Sequence, residues 1–207
     1  VLTRMCADAR KVTYLLRAHG TDISADAMEA FDNGLDVALA TALAGPLGAE
    51  SLCQAKLGVR DGGLGARSAR HSLAPAALAS RVSARPLVMH LIAQMRDMDM
   101  APDGAEQAFD VPAQAAEAHL RHELSPAGCA RLDILLGDAR TNADAGLQAL
   151  LSGRQSPSAR PRHPREEPGH ALVQLAGGED PEWHNEAQGL QQELSRLVDV
   201  ERAAALE

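Results

Sequence analysis

The sequence predicts an all-α fold, an irregular bundle of about six or seven helices with a Pro-rich flexible linker before the last one. Three observations carry this. Of the 207 residues, 45% are apolar but only 2% aromatic, so the core must be built from Leu, Ala, Val, Ile and Met. Alanine and leucine are strong helix formers, whereas the β-branched and aromatic residues that favour strands are sparse. The apolar positions also recur at intervals of three and four, the period of a helix that buries one face.

Residues 1–18 read as a helix that begins upstream of Val1 and stops at Gly20. Ser24 caps a second helix, with Met28, Phe31, Leu35, Ala38, Leu39 and Leu43 at helical spacing and Gly45-Pro46 at its end. A short helix over 49–56 leads into the glycine-rich "RDGGLGAR" of residues 60–67. A third long segment starts near Ser68 and reaches the 90s, with Pro75 in its first turn or at a kink and Pro86 splitting it. Leu87, Leu91, Ile92, Met95 and Met98 form a stripe that reads as a core face. Asp110 with Pro112 starts the next helix, through Leu124. Ser125-Pro126 then supplies a cap and a first-position proline for a helix to Leu151, with Leu132, Leu135, Leu136, Ala139, Ala143, Leu147 and Leu150 facing inward.

Domain organisation follows from composition. Residues 1–151 make one helical domain, and 152–180, rich in proline and poor in buriable side chains, read as a linker or exposed loop. The amphipathic helix 181–202 carries Leu190, Leu194, Leu197 and Val198 on one face, and could associate with a protein partner or a second copy. The closing residues 203–207 read as a vector-encoded tail. No apolar run approaches the roughly 18 residues of a membrane span, and no secretory h-region opens the chain, so the expected setting is intracellular, cytoplasm or nucleus, with no membrane partner. Cys6, Cys53 and Cys129 are scattered and odd in number, which argues for buried free thiols rather than a disulfide framework or zinc site.

The net charge of −8 is unevenly spread. Residues 51–90 hold Lys56, Arg60, Arg67, Arg70, Arg81 and Arg85 against Asp61 alone, a block of +5 inside an acidic chain. The glycine stretch lies in that block. It lacks the G-x-G-x-x-G spacing after a strand that a dinucleotide site needs, and the Gly-Lys-Ser/Thr ending of a P-loop. Gly62, Gly63 and Gly65 therefore read first as a turn that redirects the chain between helices. His119 and His122 share a helical face but lack the H-E-x-x-H arrangement, and read as surface histidines. Asp97 and Asp99 read as part of a solvated acidic loop. No local pattern identifies an enzyme, a metal site or a cofactor.

Several blocks together follow one ordered pattern. A "K-x-x-Y-L-L-R" helix is matched by Lys11, Tyr14, Leu15, Leu16 and Arg17, and an "F-D" helix by Phe31 and Asp32 with Leu35. The basic "Q-A-x-L-P-x-R-x-G-G-L-G-L-R-S-A" segment is matched by Gln54, Ala55, Leu57, Val59, Arg60, Gly62, Gly63, Leu64, Gly65, Arg67, Ser68 and Ala69. An alanine-rich helix supplies Ala76, Ala77, Ala79 and Ser80, and "LQQELSRLVD" at 190–199 resembles a helix found further on. Gly58 stands where the pattern has proline, and Ala66 where it has leucine. Together these blocks resemble the region that follows the polymerase palm in non-LTR retrotransposon reverse transcriptases, although the paired aspartates of the polymerase site and any zinc knuckle are missing.

The resemblance implies a non-catalytic thumb or connection domain, contacting an RNA–DNA or RNA duplex backbone through Lys56, Arg60, Arg67, Arg70, Arg81 and Arg85. The competing reading is a structural or protein-interaction module, a retroelement relic, in which those cations pair with helix-borne carboxylates such as Asp32, Asp36 and Glu50. The two differ in where the basic block sits: on a continuous exposed face, or against acidic helices.

Overall fold

A computed structural model describes residues 9–152 and 182–205. Seven α-helices are present among them and no strand: α1 Ala9–His19, α2 Ala25–Ala42, α3 Ala49–Lys56, α4 Ala69–Asp97, α5 Ala105–Glu123, α6 Pro126–Leu151 and α7 Glu182–Ala204. Single 3-10 turns at Gly20–Asp22 and Val59–Asp61 follow α1 and α3. The expected linker lies outside the described residues apart from Ser152, and α7 runs on through Ala204, into the tail expected to be separate.

The caps are where their side chains place them. Ser24 Oγ accepts from the Ala27 amide at 3.2 Å, Ser68 Oγ from His71 at 3.3 Å, and Ser125 Oγ from Gly128 at 3.1 Å. Each satisfies a donor that the first helical turn cannot pair internally.

α4 is the central element, packed against α1, α2, α5, α6 and α7. Its segment Ala74–Ala79 is buried throughout, because alanine lets neighbouring helices approach on every side. The main core joins Leu78 and Val82 of α4 to Leu120 of α5, Leu132 and Leu136 of α6, and Leu190, Leu194, Leu197 and Val198 of α7. A smaller cluster beneath α2 and α3 unites Leu35, Leu39 and Ala55.

Five expectations need correction. Pro86 does not split the long helix: α4 is continuous over 29 residues with both Pro75 and Pro86 inside it. A mid-helix proline costs about 3 kcal/mol, and the packing along α4 outweighs that cost. The stripe expected as a core face is covered only in part, with Leu87 and Met95 half-buried. Ile92 is buried, but Leu91 is 47% and Met98 61% exposed, since this end of α4 lies beyond the main core cluster. α5 starts five residues before Asp110, after Gly104 in a left-handed conformation, and Pro112 lies inside it. Leu150 is exposed near the end of α6. The expected burial of the thiols also fails for Cys53, which is exposed, and Cys129 is only partly covered.

Candidate nucleic-acid interface

The glycine stretch closes on itself. After α3, Leu57 is buried and the chain makes the turn at Val59–Asp61. Gly62 and Gly65 have φ of +80° and +71°, the region that glycine enters without steric cost. At Gly63 space is the constraint: a Cβ there would stand 2.2 Å from the Leu57 carbonyl oxygen. The amides of Gly63, Leu64, Gly65 and Ala66 donate to Gly58 O, Ala55 O, Leu57 O and Ala55 O at 3.0, 3.1, 2.9 and 3.3 Å. A phosphate cradle needs such amides free and pointing outward. Here four consecutive ones are used to hold the turn.

The six basic residues do not form one face. Lys56 Nζ lies 2.7 Å from Asp36 of α2. Arg67 Nη2 lies 2.7 Å from Asp199 Oδ2 of α7. Arg81 donates to the Phe109 carbonyl at 2.9 Å and stands over the Phe109 ring, 5.1 Å from its centroid. Arg85 grips Asp110 through both ends of its guanidinium, at 2.9 and 2.8 Å. That grip holds the Asp110 carboxyl below its ordinary value. Arg60 and Arg70 are exposed, and among the described residues neither side chain pairs with a carboxylate. Asp36 thus takes the predicted role, whereas Asp32 and Glu50 take no basic side chain among the described residues.

Asp32 does something the sequence reading missed. Ser68 Oγ donates to its Oδ2, and the Ala69 amide to its Oδ1 at 2.7 Å. An α2 carboxylate therefore completes the N-terminal cap of α4, where the helix dipole also favours negative charge. Arg17 of α1 donates through Nη2 to Gln191 of α7. Ser125 Oγ donates to Glu201 Oε1 at 2.7 Å, tying α7 to the start of α6. The motif blocks far apart in sequence thus meet as polar latches: Arg17 with Gln191, Asp32 with Ser68, Arg67 with Asp199.

Asp199 is the more enclosed of the two latch carboxylates. Burial pushes its carboxyl above the ordinary value and the Asp61 charge adds to this, while Arg67 and the Gly58 backbone amide pull the other way. The folded state therefore holds the Asp199 proton more tightly than the unfolded chain. This contribution to stability is fully present below the ordinary value of 3.8 and is lost as pH rises through the raised one. Asp199→Asn is expected to remove that part of the pH dependence. Urea melts of both proteins from pH 4 upward should show wild type losing stability relative to the variant as pH rises; parallel curves would contradict the burial.

Other candidates stay apart. His119 is exposed and pairs with Glu123 at 3.4 Å, and His122, Asp97 and Asp99 are exposed. No group of side chains among the described residues could hold a metal ion, and no described helix is long and apolar enough to cross a membrane. Compared with protein-family models, curated proteins and solved structures, the chain gives no match.

Proposed function

We propose that this chain is a non-catalytic helical structural module of retroelement origin, whose motif residues lock its helices together and whose outward contacts are with protein. One observation carries the reading: Lys56, Arg67, Arg81 and Arg85, four of the six basic residues that a duplex grip would use, are engaged by acceptors from α2, α7 and α5. A cation already held by a carboxylate gains little from a phosphate, because the first ion pair must break. The outward surface of α1 supports a protein contact. Tyr14 and Leu15 are 70% and 50% exposed beside the buried Leu16, so this helix offers an apolar pair that the bundle does not cover.

A second reading rests on Arg60 and Arg70. Both are exposed on either side of the glycine turn, and together they could touch a duplex backbone. Fluorescence anisotropy with a labelled RNA–DNA hybrid separates the two. The structural module shows no saturable binding at ~50 mM salt, the range in which phosphate contacts are strong. Binding that weakens steeply with salt and is lost on Arg60→Glu with Arg70→Glu would replace it with the duplex reading.

A further inference from the structure

A cleft of about 350 Å³ lies between α3, the start of α4 and the last turns of α7. This size suits a small molecule, and most ligand sites combine apolar walls with a few convergent polar groups. Leu57, Val198 and Ala205 supply apolar wall here. The polar groups come chiefly from one face of α7, where Ser195, Asp199 and Arg202 recur at helical spacing.

The electrostatics select the ligand. Lys56 and Arg67 line the cleft but are neutralised by Asp36 and Asp199. Arg202 is not matched in this way. Its side chain is 29% exposed, and its ion-pair contact, with Glu123, is at 3.7 Å, beyond hydrogen-bond distance. The Asp199 charge also acts on it, but Asp199 makes its ion pair with Arg67. Such a guanidinium has several N–H donors in a fixed fork that matches a planar oxyanion. Ser195, almost wholly buried on the same face, has a hydroxyl with no hydrogen-bond partner among the described residues. Its oxygen is sealed from solvent, so it lies behind the cleft wall rather than open to the cleft. His71 at the cleft keeps an exposed surface, yet desolvation and then the Arg202 charge push it down to about 4, so it adds a neutral ring at pH 7.

We propose that this cleft binds a small organic oxyanion, its acidic head on Arg202 and its apolar body against Leu57 and Val198. The proposal is independent of the structural-module reading, since it needs neither a duplex nor a protein partner.

The test is an NMR titration of the full chain with benzoate and with phenyl phosphate, using benzamide as the neutral isostere. Saturable shifts of the Ser195, Val198 and Arg202 amides are expected with at least one anion, and the stronger binder tells a carboxylate from a phosphate head. Benzamide should bind more weakly, and Arg202→Gln should weaken the anion by ~10-fold or more, the scale of a charge-assisted contact. Should that variant fail to fold, the wild-type protein carries the test: the same anion should slow iodoacetamide alkylation of Cys53, at the cleft, relative to Cys129. Benzamide binding as tightly as the anions, or no saturable shift and no protection of Cys53, would overturn the proposal.

Discussion

Gly63→Ala is expected to destabilise the protein by about 3 kcal/mol or more, the upper end of overpacking costs. The reason is local and severe. The added methyl would sit 2.2 Å from the Leu57 carbonyl oxygen and 2.6 Å from that of Gln54, and backbone atoms cannot rotate away as a side-chain end can. Relief would require opening the turn, which breaks the hydrogen bonds of Gly63, Leu64, Gly65 and Ala66 to residues 55–58. Chemical denaturation of the variant measures the cost. Gly48→Ala is the control, because nothing stands within 4 Å of its Cβ position and its backbone is extended. Equal stabilities for the two variants would show that the turn is looser than described.

Leu194→Ala should cost about 2–5 kcal/mol, as for other fully buried leucines. Leu194 is 1% exposed and belongs to the core shared with α4, α5 and α6. For a protein of this size each kcal/mol lowers the midpoint by roughly 2–4 °C. The substitution also tests how α7 is used. The apolar face that could have swapped onto a neighbour is spent inside the same chain, so the wild-type melting temperature should not depend on protein concentration. A concentration-dependent midpoint, with Leu194→Ala nearly neutral in dilute solution, would mean that α7 docks on another copy.

The fold class was legible because it rests on short-range physics. Helical spacing, the serine caps at 24 and 125 and the proline after Ser125 each act within one turn. The failures arise where tertiary packing overrides a local rule. Pro86 should end a helix, but α4 is held on several sides and runs through it. The stripe from Leu87 to Met98 has the right period, yet period alone does not say how far the bundle extends along the helix.

The site was less legible for a related reason. A charge count along 51–90 locates six cations but not the groups from α2, α5 and α7 that hold four of them. Asp199 lies 132 residues from Arg67, and no local pattern links them. Arg17 with Gln191 and Asp32 with Ser68 are likewise pairings that only the fold brings together.

The inward role of the basic block is tested most directly by a double-mutant cycle on Arg67 and Asp199. Arg67→Ala, Asp199→Ala and the double variant would be unfolded in urea beside wild type. A coupling energy of about 0.5–3 kcal/mol is expected for two groups in one partly buried network, with Arg67→Ala destabilising on its own. No measurable coupling, with Arg67→Ala leaving stability untouched while reducing affinity for an RNA–DNA hybrid, would contradict the account and turn Arg67 outward to a duplex.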